Sequence, residues 1–456
     1  MEYVDSEHVT PDKVGLVLKK ALKEGWLRRE DSAAIFYDLT YLEARLQRLG
    51  RCFPPPTLHA LAVKANPLVR VMEWAREVKG LNIGVEAASI GEVWLALRAG
   101  FSPRRIVYDS PVKTHEELDM ALRKGVHINV DNFSELKRIA GWLEGENTNP
   151  REPEGSRDEE GMPGRVLKGS VGIRINPQVG VGAILESSVA GEYSKFGVPI
   201  KTGREALEKA FTTFDWLTGV HLHVGSQGCP MQLLIDGIGI LYDFVLRVNK
   251  QRKALGFPPV RIMDIGGGLP ISYLFETQGP AMEAYGAAIR ERAPLLFDES
   301  APFSLITEFG RWIFTHSGWT VSRVEYVKRD PGINTAMLHT GADLFVRECL
   351  NPKDWHHQYT LFDAAGNRKE GMDDNPYHLA GPLCFAGDIL AKGIRLPRVE
   401  EGDFLVVHDT GSYTFSMCSR YNSRQTPRVL GYFKEGEQFT VLKERESPED
   451  LFRFWQ

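Results

Sequence analysis

Between about Phe36 and Gly310, short apolar runs alternate with amphipathic stretches, a pattern typical of strands that alternate with helices. Repeated βα units predict a parallel sheet, and about eight of them predict a closed (β/α)8 barrel. Periodicity alone leaves an open, doubly wound sheet as an alternative. The runs that we interpret as strands are Ala33–Tyr37, Leu58–Val63, Leu81–Val85, Arg105–Tyr108, His127–Val130, Ser170–Ile175, Leu217–Val224, Arg261–Ile265 and Ser304–Thr307.

The pattern changes after Gly310, where helix-like stretches become scarce and turn residues separate short strands. We therefore predict a barrel at 36–310 and a C-terminal β domain at 311–456, of sandwich or barrel type, with residues 1–35 packing against it. Residues 145–164 are rich in Pro, Gly and charge, and we expect a disordered surface loop there. The strands expected in the β domain are Trp319–Lys328, Thr335–His339, Gln358–Phe362, Asp403–His408 and Phe439–Leu442.

Composition excludes several classes of protein. No window approaches 18 consecutive apolar residues, and the polar N-terminus has no apolar signal core, so neither a membrane span nor secretion is expected. A net charge of -5 gives no reason to expect nucleic-acid or membrane binding. The 5 cysteines form no C-x-x-C pair, so neither a zinc site nor a disulfide framework is indicated. Free thiols in the cytoplasm fit this pattern.

Lys64 ends the strand that starts near Leu58, in the run AVKAN. The carboxyl ends of barrel strands are where barrel enzymes place their sites. A lysine there can form a Schiff base with a carbonyl cofactor if its surroundings lower its pKa. When Lys64 is considered alone, an ordinary solvated lysine at a strand end is more common than a lysine that binds a cofactor.

Two further strands end in polar or glycine-rich motifs. The run Asp264–Pro270, DIGGGLP, frees backbone N–H groups to face an anion such as a phosphate, although a tight turn is equally consistent with it. Glu308 and Arg311, in EFGR, can serve a cationic ring nitrogen and a phosphate, or form a structural ion pair.

Histidine, cysteine and tyrosine residues supply the remaining candidates. His221 and His223 share one strand face, so one of them can stack on a planar cofactor. A metal pair is also possible, but the sequence offers no third ligand nearby, and core histidines are common. Cys384, in GPLCFAGD, can donate a proton or be a buried hydrophobic residue. Tyr413 lies beside a glycine turn and is by default a packing residue.

The order of these motifs along the chain is far more specific than any one of them. The succession AVKAN, HVGSQ, DIGGGLP, EFGR, GPLCFAGD, DTGSY and YNSR resembles the fold-type III pyridoxal-phosphate decarboxylases. Diaminopimelate decarboxylase is the nearest branch, with ornithine and arginine decarboxylases as cousins. The resemblance spans about Phe36 to Leu430 and implies a pyridoxal 5'-phosphate enzyme that acts on an amino-acid-type substrate as a homodimer.

The resemblance also implies roles for matching positions. Lys64 would carry the cofactor as a Schiff base, Glu308 would pair with the ring nitrogen, and His223 would stack on the ring. Cys384, contributed by the second subunit, would reprotonate the α-carbon. The positions implied to hold the cofactor are Lys64, Glu86, Arg174, His223, Ser226, Gly266, Gly267, Gly268, Glu308, Gly310, Arg311 and Tyr413.

Departures from the family fall at the positions expected to bind substrate, which are Arg347, Phe385, Asp388 and Tyr413. The diaminopimelate branch follows the thiol with a glutamate that grips the distal ammonium, whereas Phe385 follows Cys384 here. A phenyl ring offers only a cation–π contact to an ammonium. Arg347 can still clamp a distal carboxylate. We therefore expect a larger, flatter or anionic substrate instead of diaminopimelate, with diaminopimelate decarboxylation as the alternative.

Two other classes are alternatives. An amino-acid racemase on the same barrel would need two bases on opposite faces of the ring. The motif GPLCFAGD and the large β domain favour decarboxylation. A non-catalytic regulator of this fold is disfavoured because Lys64, His223, Glu308, Arg311 and Cys384 are all present.

Overall fold

A computed structural model describes residues 8–145 and 165–456. The segment expected to be a disordered loop, 145–164, lies outside the described residues except for Gly145. Among the described residues, none of the helices combines the length and the apolar character that crossing a bilayer requires.

The strands, in chain order, are β1 Ala33–Asp38, β2 Leu58–Ala62, β3 Ile83–Ala87, β4 Ile106–Tyr108, β5 His127–Val130, β6 Val171–Asn176, β7 Val198–Pro199, β8 Leu217–His221, β9 Ile262–Asp264, β10 Ser304–Thr307, β11 Gly318–Asp330, β12 Ile333–Leu338, β13 Tyr359–Phe362, β14 Tyr377–Ala380, β15 Ile389–Ile394, β16 Phe404–Val407, β17 Arg428–Phe433 and β18 Gln438–Lys443.

The α-helices, in chain order, are α1 Pro11–Lys23, α2 Leu39–Cys52, α3 Val69–Arg76, α4 Ile90–Arg98, α5 His115–Lys124, α6 Phe133–Leu143, α7 Ile200–Thr213, α8 Met231–Ala254, α9 Met282–Arg292, α10 Arg311–Phe314, α11 Val346–Leu350 and α12 Pro448–Trp455.

Eight parallel strands close into a barrel, as the alternation predicted. The hydrogen-bonded order is β5-β4-β3-β2-β10-β9-β8-β6, and pairing of β5 with β6 closes the ring. Each barrel strand is short and almost wholly buried, because both of its faces are covered in a βα fold. The open doubly wound sheet is therefore excluded.

Local sequence signals place the helices between the strands. The helix α5 starts with a capping box, in which the Thr114 hydroxyl accepts from the Glu117 backbone and the Glu117 carboxylate accepts from the Thr114 backbone. It ends at Gly125, which adopts a left-handed conformation with φ of 85°. Such signals satisfy the unpaired backbone groups at the two helix ends.

The chain divides into two compact units. The barrel unit comprises Gln47–Pro270 and Pro280–Gly310, and the β unit comprises Met1–Leu46, Ile271–Gly279 and Arg311–Gln456. Two stretches of the span where we expected the barrel, 36–46 and 271–279, thus belong to the β unit. The expected loss of βα alternation after Gly310 coincides with the change of unit.

The strand β1 corrects the expectation that Ala33–Tyr37 opens the barrel. It pairs antiparallel with β11 and parallel with β17, so it lies inside the sheet of the β unit. Phe36 stacks on Trp319 with ring centres 4.1 Å apart, among the buried side chains of α1 and β17. The strand was misassigned because its apolar pattern is the same in either sheet, and only long-range pairing separates the two.

The β unit contains a nine-stranded sheet in the order β15-β14-β12-β11-β1-β17-β18, with β16 also paired to β11 and β13 paired to β16. Three of its strands were not anticipated from the sequence: β14, β15 and β17. They are short and interrupted by bulges or polar residues, which weakens the alternation that identifies a strand.

Candidate active site

The carboxyl ends of the barrel strands gather most of the predicted cofactor residues. Lys64 lies in a single 3-10 turn, Val63–Ala65, directly after β2. Glu86 lies on the neighbouring strand β3, and its buried carboxylate contacts the Lys64 amine. Burial raises the pKa of Glu86 to about 8, against the opposing attraction of the Lys64 charge. The lysine amine is thus held at the barrel end by a partner from the next strand.

The glycine turn after β9 is held against backbone from two neighbouring strands. Gly266 and Gly268 have φ angles of 63° and 99°, which side chains rarely adopt. A Cβ atom at Gly267 would collide with the carbonyl of Glu308, and one at Gly268 with that of Gly225. These glycines are therefore required by a close backbone approach.

His223 and Glu308 border this turn. The Gly267 amide donates to His223 Nδ1 at 3.4 Å, and desolvation, together with the nearby charges of Lys64 and Arg174, lowers the pKa of His223 to about 3. Its imidazole is consequently neutral and suited to face an aromatic ring. The Glu308 amide donates to the Gly266 carbonyl at 2.8 Å, which ties the backbone at Glu308 to the glycine turn.

Glu308 is ionised although it is buried. Burial works to raise its pKa, but the charge of His221 and a 3.3 Å contact between His221 Nε2 and Glu308 Oε2 lower the pKa well below its usual range. Its second oxygen, Oε1, is buried and has no hydrogen-bond partner among the residues described. A buried, ionised and unmatched acceptor fits a protonated ring nitrogen of a cofactor.

Sequence reasoning missed Asp109, which follows β4 and lies among these residues. Its carboxylate accepts from Arg174 Nη1 at 2.9 Å, and its other oxygen is 3.5 Å from His221 Nδ1. The signal was available, because Asp109 is the first residue after a barrel strand, the same position from which Glu308 and Lys64 were identified. Ser226 lies in the loop after β8, where its amide donates to the Ser187 carbonyl at 2.9 Å.

The remaining predicted residues lie in the β unit. Arg311 begins α10 and donates to the Tyr273 hydroxyl at 2.6 Å. Arg347, in α11, places its guanidinium carbon 4.0 Å from the centre of the Trp355 ring and donates to the Tyr413 carbonyl at 2.8 Å. The Tyr413 ring lies 4.6 Å from the Arg311 guanidinium carbon. Two guanidinium groups and two aromatic rings thus form one cluster, which is suited to an anion.

The loop that holds Cys384, Gly381–Asp388, contains both exposed and buried residues. Cys384 and Phe385 are exposed, and the Phe385 ring meets that of Tyr421 at 6.2 Å. Asp388, predicted to bind substrate, is buried instead, and its carboxylate accepts from the amides of Ala342 and Leu383, both at 2.6 Å. This carboxylate is occupied in holding the loop.

Two clusters within the described residues bring three possible metal-ligand atoms within 4.8 Å of one another: His221, Asp264 and Glu308, and His8, His316 and Asp409. The sequence offered no third ligand near His221, and the fold supplies two carboxylates. In both clusters imidazole nitrogens already face carboxylate oxygens at 2.8 to 3.3 Å, so hydrogen bonding accounts for the arrangement.

A cavity of about 970 Å³ lies at the opposite end of the barrel, where Leu58, His127, Ile262 and Ser304 begin their strands. It includes none of the predicted site residues. The candidate site is therefore defined by the chemistry of the strand ends and not by cavity size.

Comparison with known proteins agrees with this chemistry. The family model described as pyridoxal-dependent decarboxylase, pyridoxal binding domain, matches residues 39–315. The diaminopimelate decarboxylase of Methanothermobacter thermautotrophicus is 31% identical over 400 residues, covering 86% of this chain and 83% of the relative. That of Archaeoglobus fulgidus is 27% identical over 439 residues, covering 96% of each chain.

A solved structure is similar over nearly the full length. Diaminopimelate decarboxylase from Helicobacter pylori, complexed with L-lysine, has a TM-score of 0.77 and 25% identity, covering 95% of this chain and 99% of that one. The fold, the cofactor chemistry of the strand ends and the family match agree. The chain therefore belongs to the pyridoxal-dependent decarboxylases, which use pyridoxal phosphate to release carbon dioxide from amino acids.

Proposed function

We propose that the substrate is an amino acid, or a metabolite containing one, whose distal end differs from that of diaminopimelate. The observation that carries the proposal is the loop from Gly381 to Asp388. Its single carboxylate, Asp388, is buried and occupied by two backbone amides, and an exposed phenyl ring follows Cys384. This loop offers no carboxylate to a distal ammonium, and an ammonium desolvated without a partner loses several kcal/mol.

The cluster in the β unit supports an anionic group in the substrate. Arg347 Nε has no hydrogen-bond partner among the residues that the structure describes. Desolvation, followed by the nearby charge of Arg311, lowers the pKa of Arg347, so an anion beside Arg347 would be stabilised by positive charge from both guanidinium groups. A carboxylate or another planar anion would satisfy both, with Trp355 beneath the Arg347 guanidinium.

We assign the barrel residues as follows. Lys64 would hold the cofactor covalently through its amine, and Glu308 Oε1 would accept a hydrogen bond from the protonated ring nitrogen, which keeps its proton. His223 would cover one face of the ring. The Gly266 and Gly267 amides already donate to Asp264 and His223, so the glycine turn would hold the phosphate through its close backbone approach and its remaining N–H groups. Bound pyridoxal phosphate supplies the electron sink for the electron pair left when carbon dioxide departs.

The decisive experiment measures carbon dioxide release by the cofactor-loaded protein from L- and D-amino acids and from carboxylated conjugates, with Lys64→Ala as the inactive control. We expect release from a compound other than diaminopimelate. Turnover of free diaminopimelate with kcat/KM of at least about 10⁴ M⁻¹s⁻¹ would make this a diaminopimelate decarboxylase and refute the proposed specificity. An absence of release with exchange of the α-hydrogen would instead indicate a racemase.

A matched pair of variants tests the loop directly. Phe385→Glu restores a carboxylate after the thiol and is expected to raise kcat/KM for diaminopimelate, whereas Phe385→Leu is expected to leave it low. An equal response to both changes would show that this position does not select the distal group.

We also propose that the enzyme acts as a homodimer in which Cys384 completes the partner's site. The exposure of Cys384, Phe385 and Ala386 in the single chain supports this. Mixing Lys64→Ala with Cys384→Ala after mild dissociation is expected to restore activity, because one of the two mixed sites then has both residues. A monomer in sedimentation velocity, or no restoration, would refute it.

A further inference from the structure

A row of four buried side chains with alternating charge crosses the carboxyl end of the barrel. Arg174 Nη1 is 2.9 Å from Asp109 Oδ2, Asp109 Oδ1 is 3.5 Å from His221 Nδ1, and His221 Nε2 is 3.3 Å from Glu308 Oε2. The side chains of Asp109, His221 and Glu308 are at most 5% exposed. They come from the ends of four strands that are distant in sequence, β4, β6, β8 and β10.

The geometry decides the protonation state of the imidazole. Each ring nitrogen of His221 faces a carboxylate oxygen: Nε2 is hydrogen-bonded to Glu308, and Nδ1 lies 3.5 Å from Asp109 Oδ1. Among the described residues, neither Nδ1 nor Oδ1 has a hydrogen-bond partner, so the charge contact between them is the interaction that each makes. A neutral ring would aim one nitrogen lone pair at a carboxylate. Only an imidazolium presents a proton to both, so the row requires a positive charge at its centre.

We propose that Asp109 is a positioning residue of the decarboxylase: it holds His221 as an imidazolium, and this imidazolium keeps Glu308 ionised toward the cofactor ring. The inference rests on the proposed function, because the role of Glu308 toward the ring nitrogen is part of that function. It adds a route by which a side chain at the end of β4 controls the electron-accepting state of the ring.

The pKa directions agree with this geometry. Burial works to lower the pKa of His221, but Asp109, Glu308 and Asp264 together raise it to about 9. For Asp109, burial works to raise the pKa, and the charges of His221 and Arg174 bring it below its usual value. Both carboxylates beside the imidazole are thus ionised at neutral pH.

Neighbouring groups do not replace this arrangement. Asp264, on β9, lies within reach of the same imidazole, but burial and the charge of Glu308 raise its pKa well above the usual value, so it supplies less negative charge than Asp109. Asn129 Nδ2 donates to Asp264 Oδ2 at 3.1 Å. Two other histidines lie near His221, and burial lowers the pKa of His127 to about 4 and that of His223 to about 3, so both are neutral at pH 7 and neither replaces the charge of Asp109.

A purely structural role for Asp109 makes a different prediction. If Asp109 served only to hold Arg174, its neutralisation would lower stability without changing the protonation of His221. The state of the His221 ring separates these two roles, because it reports the charge beside the imidazole and not the stability of the fold.

The test is nitrogen NMR of the full chain, freed of cofactor and labelled with ¹⁵N in its histidine rings, with the His221 signals assigned from their loss in His221→Gln. We expect both His221 nitrogens to carry protons at pH 7. Asp109→Asn is expected to lower the His221 titration midpoint by at least about one unit, a tenfold change in its protonation equilibrium. Asp131→Asn, the same change at another buried strand end, is expected to leave it unmoved.

Pyridoxal phosphate titrated into the same proteins gives the second readout. We expect roughly tenfold weaker binding in Asp109→Asn and in His221→Gln, and native affinity in Asp131→Asn. A singly protonated His221 ring at pH 7 in the native protein overturns the proposal even if Asp109→Asn fails to fold. The proposal is also overturned if the His221 titration midpoint is unchanged in a folded Asp109→Asn variant. If the native protein takes up no cofactor, the proposed function is refuted. The NMR result for the His221 nitrogens is obtained without cofactor, so it tests the role of Asp109 independently of the proposed function.

Discussion

The ionisation of Glu308 is a property of its neighbours and not of the residue. Its carboxylate is buried, which alone would favour the protonated form, yet the facing imidazolium of His221 reverses that preference. A carboxylate that remains charged in a desolvated site interacts strongly with a protonated ring nitrogen, because little solvent screens the pair.

Glu308→Gln tests this directly. The amide keeps the shape of the side chain and removes its charge, so we expect kcat for carbon dioxide release to fall roughly 10²–10³-fold while the fold is retained. Turnover with the best substrate of the panel measures it, with Glu299→Gln, an exposed residue, as the control. Undiminished turnover in Glu308→Gln would show that the ring nitrogen needs no anionic partner here.

Glu86 makes stability depend on pH. Its pKa in the folded protein is about 8, against a usual value of 4.5, so between these values the unfolded chain is ionised while the folded protein keeps its proton. Folding therefore takes up a proton, and the free energy of unfolding declines as the pH rises through this window, by at most about 1.4 kcal/mol per pH unit.

Urea unfolding of the cofactor-free protein between pH 5 and pH 8 measures this slope. Glu86→Gln cannot ionise and is expected to flatten it, whereas Glu299→Gln is expected to keep the native slope. Equal slopes in the native protein and in Glu86→Gln would place the titrating group elsewhere.

At the scale of elements, the conformation of the glycine turn Gly266–Gly268, after β9, is determined by its backbone more than by side chains. Its glycines combine left-handed φ angles with carbonyl oxygens from Glu308 and Gly225 at the positions of their absent Cβ atoms. The turn is a tight turn and also suited to an anion, so the two interpretations of the motif are compatible.

Gly268→Ala is expected to destabilise the protein by at least about 1–2 kcal/mol, from its φ of 99° alone, and to weaken pyridoxal phosphate binding through displacement of the turn. Chemical unfolding and cofactor titration measure both effects. Gly91→Ala is the matched control, because its added Cβ would meet only Ser89 Oγ, at 3.6 Å, within a helix. Native cofactor affinity in Gly268→Ala would mean that the turn does not bind the phosphate.

At the scale of the whole molecule, neither unit is a continuous piece of chain. The β unit takes β1 from near the N-terminus into the interior of its sheet, between β11 and β17, and the segment Ile271–Gly279 from within the barrel region. Each unit therefore needs chain segments that are far apart in sequence before its core is complete.

Phe36→Ala tests the place of β1. Loss of a fully buried ring stacked on Trp319 is expected to lower the free energy of unfolding by about 3–5 kcal/mol. Tyr326→Ala, at a 60% exposed position of β11, is expected to change it by less than about 0.5 kcal/mol. A small effect of Phe36→Ala would argue that β1 contributes little to the core of the β unit.

Sequence alone predicted the barrel and the strand-end positions of Lys64, His223 and Glu308, because a residue that follows a parallel strand faces the same end of a barrel, whatever its neighbours are. The cofactor class was predicted from the order of the motifs, which resembles that of the pyridoxal-phosphate decarboxylases. The same rule, applied to every strand, would also have found Asp109.

Which strand ends meet, which sheet β1 joins and where Asp388 points depend on contacts between distant parts of the chain. Apolar alternation carries no information about partners, so β1 had the same pattern as a barrel strand. The pairing of Asp109, His221 and Glu308, and the burial that shifts their pKa values, join residues more than 80 positions apart. Such contacts exist only once the barrel has closed.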